Sequence, residues 1–313
     1  MGRLAAVITV LIWTSFIIVA RASASHVLLP LDIACARILG ASSVLLPWAW
    51  WLMRDARQRG EKVGSLFGLS PLPLRVTVQA GMLGGFLYSL LAYIGFFYAP
   101  AGHASVLMPG SLPLWTTLLM WLFLREHIGL NRAIGLGMIV CGDILVGGIS
   151  LLKAFDGGDV WIGDLLFITA AFCWSAYSVT VRHYGLDAVR ATMAITAFAL
   201  VSFVPAYALL VNLNVLPSHM AQASWAEILF QAVFQGVGSV VISGITFTQM
   251  IRTFGPVKST MITAMVPGLS ALGAVVFLGE PLSWNLWAGL ALVTGGILFG
   301  VWQAVVKSSL LKP

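Results

Sequence analysis

The chain has 313 residues, of which 59% are hydrophobic and only 9% are charged, and its mean hydropathy is +0.97. Soluble domains carry about 25% charged residues, so the composition excludes a soluble globular protein. The formal net charge of +6 does not indicate a nucleic-acid partner, because the basic residues are spread over short segments between apolar runs.

A helix needs roughly 20 mostly apolar residues to cross a membrane core of about 30 Å. Ten such segments follow one another along the chain, separated by gaps too short to hold an independent domain. In chain order they cover residues 4–24, 31–53, 73–96, 101–124, 130–152, 162–182, 189–211, 226–250, 257–278 and 285–306. We therefore predict an all-α polytopic membrane protein with ten transmembrane helices.

The basic residues are distributed unevenly between the two sides of the predicted membrane. If the amino terminus is cytoplasmic, all but three of the 17 lysines and arginines lie in cytoplasmic loops and ends. The exceptions are Lys153 in an outer loop and Arg21 and Arg37 within apolar segments. This positive-inside bias predicts that both termini are cytoplasmic, and it accounts for the basic net charge.

The second half of the chain repeats the first. Shifting the sequence by 154 residues aligns 105–142 with 259–296 without a gap, and ten positions are then identical. A shift of 161 residues also aligns Trp13 with Trp174. Self-similarity at a fixed spacing indicates that the chain contains two copies of one structural unit.

Each copy contains five predicted helices, an odd number, so the two copies must have opposite orientations in the membrane. We predict repeat domains at 1–152 and 153–313. Inverted repeats are typical of secondary transporters, in which the two halves enclose a central cavity and rock to open it to either side. Pro113 and Pro267 lie inside the fourth helix of each copy. They are interpreted as gating kinks, although kinks are also common in membrane helices without that role.

Three stretches of the sequence resemble a known family. FLREHIGLNRAIGLGMIVCG (123–142) and FLGEPLSWNLWAGLALVTGG (277–296) resemble the closing signature of the EamA repeat: an apolar helix, Gly-Glu, a short turn and a glycine-spaced helix. YAPAGHASVLMPGSLPLWTTLL resembles the preceding helix pair. The chain is thus similar, over nearly its whole length, to ten-helix members of the drug/metabolite transporter superfamily. The first copy departs from the signature, because it reads Arg125-Glu126 in place of Gly-Glu.

The resemblance implies a carrier of the bacterial inner membrane that is driven by a proton or substrate gradient. Such carriers most often export amino acids or other small metabolites. Helices 1, 3, 4, 6, 8 and 9 would line the cavity, helices 2 and 7 would be peripheral, and helices 5 and 10 would support the structure. The sequence itself contains no nucleotide-binding or catalytic motif and no metal-ligand spacing, so we expect no enzymatic activity, cofactor or metal.

Four charged residues inside or next to apolar segments need an interpretation. Asp143 in the fifth segment lies at about the depth of Arg37 in the second, and charges inside the bilayer are costly. Asp143 is either a proton-coupling carboxylate or half of a structural ion pair with Arg37, and its place behind the cavity wall favours the pair. Glu126 and Glu280 end the two fourth helices. We expect each to accept hydrogen bonds from the first N–H groups of the next helix.

The substrate candidates are polar and aromatic residues on the helices that the resemblance places around the cavity. They are Trp13 (helix 1), Tyr88 and Tyr93 (helix 3), Ser111 and Trp115 (helix 4), Trp174, Tyr177 and Ser178 (helix 6), and Gln235, Ser239, Ser243 and Thr246 (helix 8). The helix 8 residues form a polar stripe, which faces either a cavity or another helix. Single aromatic residues also mark membrane interfaces. Rings with neutral donors suit a neutral or zwitterionic solute.

The leading hypothesis is a secondary active transporter that exports aromatic or apolar amino acids, or similar metabolites, by alternating access. We expect a small-molecule substrate, a surrounding lipid bilayer, no nucleic-acid partner and a monomeric state, and proton coupling is a hypothesis. Two alternatives stay open. One is an exporter of drugs or lipid precursors from the same superfamily, and the other is a membrane scaffold that transports nothing.

Overall fold

The computed structural model describes residues 2–59, 64–125, 127–153, 158–263 and 265–310. Apart from an isolated bridge between Ser65 and Ser70, the regular structure in that part of the chain is helical. We number ten helices in chain order. Seven of them have no internal change of helix type: Gly2–Ser23 (α1), Pro30–Gln58 (α2), Leu130–Lys153 (α5), Val160–His183 (α6), Ala188–Asn212 (α7), Met265–Leu278 (α9) and Trp284–Leu310 (α10).

The other three helices each contain a π-helical stretch, in which hydrogen bonds join residues five apart instead of four. The helix α3, Leu74–Tyr98, is π-helical at Gly81–Leu87. The helix α4 consists of Ala101–Ser105, the π-helical stretch Val106–Gly110 and Leu112–Leu124. The helix α8 consists of Trp225–Gln231, the π-helical stretch Ala232–Ile242 and Ser243–Thr263.

Within the described residues, α1 to α8 are long and apolar enough to cross a membrane. They confirm the first eight predicted segments, with ends that differ by a few residues. Two shorter apolar helices, Met265–Leu278 and Trp284–Phe299, lie where the ninth and tenth segments were predicted. The protein is therefore a multi-pass helical membrane protein, and the full count of ten transmembrane helices stays a prediction.

One predicted connection is helical in the structure. Residues 251–256, between the eighth and ninth predicted segments, belong to the helix Ser243–Thr263. The prediction of a break there was wrong. The segment contains Gly255-Pro256, a pair that usually marks a turn. A proline removes one backbone donor, and a helix can continue past it when neighbouring groups satisfy the freed carbonyl.

The first of the two predicted proline kinks falls at the start of a helical piece. Pro113 lies in the first turn of Leu112–Leu124, directly after Ser111 and the π-helical stretch. Pro267 is buried in Met265–Leu278, and the residue before Met265 lies outside the described residues. The first N–H groups of a helix have no acceptor within it, so a proline there costs no hydrogen bond. The irregular part of α4 is therefore Val106–Gly110, and a gating role for the two prolines stays a prediction.

The described residues pack into two compact units, and each unit takes residues from both predicted repeats. The first unit lies within Met1–Ala22, Ile94–Ala176 and Thr246–Pro313, and the second within Ser23–Tyr93 and Tyr177–Ile245. Compact units are defined by packing, whereas repeats are defined by sequence. The division at residue 152 into two repeat domains therefore stays a prediction.

In the first unit, α5 and α10 pack closely because glycines face each other. A methyl group on Gly142 would lie 2.7 Å from the carbonyl oxygen of Gly289, and one on Gly296 would lie 2.5 Å from that of Gly135. Only glycine allows backbones to approach so closely. Because Gly135 and Gly142 meet Gly296 and Gly289 in reverse order, α5 and α10 are antiparallel.

In the second unit, α2 packs against α7 and the π-helical part of α8, and α7 also packs against the π-helical part of α3. Methyl groups on Gly81 and Gly85 would lie 2.5 Å from Phe198 and 2.6 Å from Ile195. The small residues of α3 therefore serve close helix packing.

Candidate functional site

An aromatic cluster in the first unit brings two predicted substrate residues together. The ring of Trp13 on α1 lies edge-on to Trp174 on α6, with centroids 6.3 Å apart and an interplanar angle of 85°. The ring of Phe247 on α8 lies 4.8 Å from that of Trp13. All three side chains are half-buried, so part of each ring is accessible. The sequence analysis missed Phe247, whose only signal is its position beside Thr246 on the polar-striped helix.

Two predicted hydroxyl residues of the first unit make hydrogen bonds within the protein. The hydroxyl groups of Thr246 on α8 and Thr9 on α1 are 2.9 Å apart. The hydroxyl of Ser111 donates to the Leu107 carbonyl oxygen at 2.5 Å, within the irregular part of α4. Such bonds satisfy carbonyls that irregular helices leave free. Ser111 gives its proton to the backbone, so toward a ligand it would act as an acceptor.

Several buried polar atoms of the first unit have no hydrogen-bond partner among the described residues. They are the Thr14 hydroxyl oxygen, the Trp115 indole nitrogen and Oδ1 of Asp143. Trp115 packs edge-on against Phe172, with ring centroids 5.4 Å apart. Buried polar atoms are normally hydrogen-bonded, so an unpartnered one calls for an unseen partner such as a ligand or water.

The two residues of the predicted ion pair belong to different units. Arg37 is buried in the second unit and donates from Nη1 to the Tyr93 hydroxyl at 3.0 Å. Its guanidinium carbon also lies 5.8 Å from the centroid of the Tyr93 ring. The sequence analysis missed this contact, although it named both residues. The pairing of Asp143 with Arg37 stays a prediction.

The polar stripe of α8 begins in the second unit with a fully buried amide. Neither Nε2 nor Oε1 of Gln235 has a hydrogen-bond partner among the described residues. Ser243 donates to the Ser239 carbonyl oxygen at 2.7 Å. Gln235 is thus the residue of this stripe with the most unused hydrogen-bonding capacity, whereas Ser243 also serves the backbone.

The remaining predicted substrate residues of the second unit are half-buried. They are Tyr88, Tyr177 and Ser178. Tyr177 packs over Gly84, where an added methyl group would lie 2.6 Å from the tyrosine ring. The position of Tyr177 therefore depends on a glycine of α3, and the substrate role of all three residues stays a prediction.

A buried histidine–carboxylate pair lies outside the predicted set. His103, in the first turn of α4, has its Nδ1 atom 2.9 Å from Oδ1 of Asp164 on α6. The side chains are 14% and 4% exposed. The sequence analysis did not consider Asp164. The only available signal was an acid within an apolar segment, the same signal that Asp143 gave.

Glu280 joins three segments of the first unit. Its carboxylate accepts hydrogen bonds from the backbone N–H groups of Ala101 and Gly102, both at 3.1 Å, and from Nε of Arg21 at 3.1 Å. Arg21 also donates to the Phe96 carbonyl oxygen at 2.7 Å. We call this arrangement the Glu280 clamp.

The clamp corrects the predicted role of Glu280. The carboxylate does accept from first-turn N–H groups, but they belong to α4 and not to α10, which follows it in sequence. The reason is tertiary packing, because α9 contacts the first turn of α4 and ends beside it. Glu126, the equivalent residue of the first copy, lies outside the described residues.

Asp32 is a fully buried acid of the second unit that the sequence analysis did not single out. It accepts hydrogen bonds from the hydroxyl groups of Tyr207 and Ser218 and from the backbone N–H groups of His219 and Leu29. A buried carboxylate with this many donors is stabilised as a structural group. Asp32 therefore ties α2 to α7 and to the segment that follows α7.

The structure was also searched for other kinds of site. No group of three or more His, Cys, Asp or Glu residues is arranged to hold a metal ion among the described residues. A cavity of about 290 Å³ lies at the carboxyl end of α2, lined by Trp50, Met53, Arg54, Gln58 and Gly68. None of the predicted substrate residues line this cavity.

Among the described residues, eight helices are long and apolar enough to cross a membrane, and aromatic and polar side chains pack between them, so the chain belongs to the class of multi-pass helical membrane proteins. The chain belongs to the EamA-like transporter family, whose model matches residues 1–148 and again 161–302. This agrees with the family resemblance of the two closing signatures. The protein is therefore a membrane transporter and not an enzyme.

Known relatives are similar in sequence across most of the chain. The uncharacterized transporter YdfC of Bacillus subtilis is 28% identical over 229 residues, which are 70% of this chain and 68% of the relative. A WAT1-related protein of Arabidopsis thaliana is 25% identical over 298 residues, 85% of this chain and 73% of the relative. One crystal structure of a protein, 21% identical, gives a TM-score of 0.59 over 97% of this chain and 98% of that one. It shows a shared fold.

Proposed function

We propose that this transporter is a secondary active exporter of small neutral or zwitterionic metabolites, with aromatic and apolar amino acids as the leading substrate class. The observation that carries the proposal is the cluster of Trp13, Trp174 and Phe247. Half-buried rings, of which Trp13 and Trp174 are in edge-to-face contact, offer both apolar surface and the polar edges of their π systems to another ring. A substrate with an aromatic or branched side chain matches that surface.

The polar atoms of the same unit support a substrate without large net charge. The hydroxyl of Thr14 and the indole nitrogen of Trp115 are buried without a hydrogen-bond partner among the described residues. Both groups are neutral. The Trp115 indole N–H can donate to the carboxylate of a zwitterion, and the Thr14 hydroxyl can accept from its amino group, without adding a buried charge. We propose the same kind of contact for Gln235 in the second unit, whose amide has no described partner.

The proposed mechanism is alternating access across the bacterial inner membrane by two inverted five-helix repeats, with both termini cytoplasmic. The two separate matches to the family model support the repeats. The antiparallel packing of α5 and α10 supports the inversion of the repeats. Gly142 is equivalent to Gly296 and Gly135 to Gly289 in the two sequence copies, and each glycine contacts the equivalent of the other, as Gly142–Gly289 and Gly135–Gly296. The charge distribution supports the placement of the termini.

The experiment is uptake of labelled amino acids into proteoliposomes that contain the purified protein, with and without an imposed pH gradient. The panel includes phenylalanine, leucine, alanine, glutamate and lysine. We expect saturable uptake of phenylalanine and leucine that exceeds uptake of glutamate and lysine. Uptake of none of the panel would remove amino acids as the substrate class. Equal uptake of the charged amino acids would contradict a neutral binding site.

A further inference from the structure

The cavity at the carboxyl end of α2 is not used by the proposed substrate site. The last turns of the helix supply four of its lining residues, and Gly68 of the loop 64–70 supplies the fifth. Its volume of about 290 Å³ lies just below the range of about 300–1,000 Å³ that is usual for pockets of drug-sized ligands. The cavity therefore suits a smaller group.

Arg54 supplies the charge of this cavity. Its guanidinium carbon lies 5.5 Å from the centroid of the Trp50 ring, so the aromatic face holds the arginine in place. The neighbouring acid, Asp55, pairs with Arg59, and Arg54 has no ion-pair partner among the described residues. A guanidinium presents five donors in a rigid fork that matches the oxygens of phosphate and carboxylate groups. The cavity therefore favours an anion.

The sequence around the cavity is also basic. Residues 54–75 contain five basic residues and two acids, which gives a net charge of +3. The basic residues are Arg54, Arg57, Arg59, Lys62 and Arg75. This charge outweighs the partial negative charge at the end of a helix, which is about half an elementary charge. Basic clusters directly after a transmembrane helix are typical of segments that bind anionic lipids on the cytoplasmic side, where the charge distribution places this loop.

Exposed apolar side chains continue the site toward a bilayer. Trp50 and Trp51 are exposed near the end of α2, and Phe67 is fully exposed on the loop. Tryptophan is enriched at the level of the lipid headgroups. A fully exposed phenylalanine is unfavourable in water, whereas the edge of the acyl chains buries its ring. Charge and apolar surface thus meet at one place, as they do in a phospholipid.

The loop holds Phe67 outward although this strains the backbone. Phe67 has a φ of 59°, a left-handed conformation that is unfavourable for residues other than glycine. Ser65 and Ser70 fix the loop, because each donates its backbone N–H to the carbonyl oxygen of the other, at 2.9 and 3.2 Å. The Ser70 hydroxyl also lies 2.7 Å from that of Thr77 on α3. Strain that surrounding bonds maintain is found at functional sites.

We propose that this cavity binds the headgroup of an anionic phospholipid, with Arg54 on the phosphate and Phe67 inserted at the edge of the acyl chains. The guanidinium donates charge-assisted hydrogen bonds to the phosphate oxygens. The Gln58 side chain can donate to a further headgroup oxygen. The occupant is a lipid and not a soluble phosphate, because the exposed rings beside the cavity match acyl chains.

The test is native mass spectrometry of the purified protein in detergent with added phosphatidylglycerol, which is anionic, or phosphatidylethanolamine, which is zwitterionic. The wild type should bind one phosphatidylglycerol more tightly than any phosphatidylethanolamine. R54Q should weaken phosphatidylglycerol binding about tenfold, because it loses a charge-assisted pair. Equal affinity of the wild type for both lipids would overturn the proposal.

The matched control is R59Q, which removes the same charge from an exposed arginine of the same segment. Because Arg59 pairs with Asp55 and does not line the cavity, R59Q should keep the wild-type affinity. Equal weakening by R54Q and R59Q would show a general effect of charge and would overturn the site. F67S should weaken phosphatidylglycerol binding as well, and an unchanged affinity would exclude insertion of the ring.

Two further measurements on the wild type need no variant to fold. Glycerophosphoglycerol, the headgroup without acyl chains, should not displace phosphatidylglycerol at equal concentration, and displacement would assign the cavity to a soluble phosphate instead. Backbone amides of the loop 64–70 should exchange hydrogen several-fold more slowly with phosphatidylglycerol than with phosphatidylethanolamine. Equal exchange rates would place the bound lipid elsewhere. None of these results depends on the transported substrate.

Discussion

Gly142 on α5 and Gly289 on α10 lie so close that a methyl group on Gly142 would be 2.7 Å from the Gly289 carbonyl oxygen. The contact is with backbone, which cannot move aside as a flexible side chain can. We expect G142A to lower the free energy of unfolding by about 1–3 kcal/mol, the usual cost of overpacking. Thermal unfolding of the purified protein in detergent measures the change.

The matched control for that experiment is Gly137 on the same helix, where an added methyl group has nothing within 4 Å. G137A should leave stability unchanged or raise it slightly, since alanine is the better helix former. Equal destabilisation by both substitutions would show that the close packing of α5 on α10 is not the cause.

Gly279 and Arg125, which occupy equivalent positions in the two sequence copies, both have left-handed backbone conformations, with φ values of 65° and 52°. Glycine adopts this conformation freely, whereas other residues lose roughly 1–2 kcal/mol. We expect G279A to lower the free energy of unfolding by about 1 kcal/mol and R125G to raise it by a similar amount. Thermal midpoints of the two variants report this difference.

Gly129 provides the control, because it has neither a positive φ nor a close neighbour. G129A should be nearly neutral. A stabilising effect of G279A would contradict the conformational explanation. The expected result would also explain the family signature. If G279A destabilises the protein and R125G stabilises it, backbone geometry requires the glycine of Gly-Glu, and the arginine of the first copy lowers stability.

Trp13 is the central ring of the aromatic cluster, and its removal tests whether the cluster binds substrate. We expect W13L to raise the KM for phenylalanine about threefold to tenfold, which corresponds to the loss of one aromatic contact of about 0.5–1.5 kcal/mol. The KM for alanine should change less, because alanine has no ring. The control is W121L, at a tryptophan of α4 that is 55% exposed. Equal effects of the two substitutions would remove the cluster from the substrate site.

Substitution of Asp143 tests whether its buried carboxylate is half of an ion pair. Its Oδ1 atom is buried without a partner among the described residues, and an unsatisfied buried polar group costs about 1–3 kcal/mol. We therefore expect D143L to raise the free energy of unfolding by about that amount, as measured by thermal unfolding. A loss of about 3–5 kcal/mol would instead show that the carboxylate is half of a buried ion pair, as predicted with Arg37. D159L, at an exposed position, is the control.

Much of the fold could be predicted because the membrane imposes a simple rule on composition. Long apolar runs fixed α1 at 4–24 and α7 at 189–211, and the structure places these helices at Gly2–Ser23 and Ala188–Asn212. The contact between Trp13 and Trp174 could also be predicted from the sequence, because both residues were selected as equivalent positions of two copies that would line one cavity. Hydropathy carries this information because it averages over many residues.

The π-helical stretches could not be predicted in this way, because hydropathy does not show whether hydrogen bonds join residues four or five apart. The consequence is clear in α8. The polar stripe was derived from ordinary helical spacing, but Ala232–Ile242 is π-helical, so a spacing of four falls short of a full turn there. Gln235 and Ser243 are buried, whereas Ser239 is half-buried.

Side-chain contacts between residues far apart in the sequence were the other feature that was not predicted. His103 meets Asp164 across 61 residues, and Tyr207 meets Asp32 across 175. Apart from what its internal repeat indicates, a single sequence does not show which residues of distant helices become neighbours. For the same reason, Glu280 was assigned to the helix nearest in sequence, whereas the packing of α9 brings it to α4.

The Glu280 clamp has a consequence for the rate at which this unit can rearrange. One carboxylate holds the start of α4 and Arg21 at the same time, and Arg21 also holds the Phe96 carbonyl. Any motion that carries the end of α9 away from the first turn of α4 must break both hydrogen bonds from Ala101 and Gly102 to Glu280. If the proposed transport cycle includes such a motion, the clamp adds to its activation barrier, and weakening the clamp is expected to change the turnover rate more than the affinity for substrate.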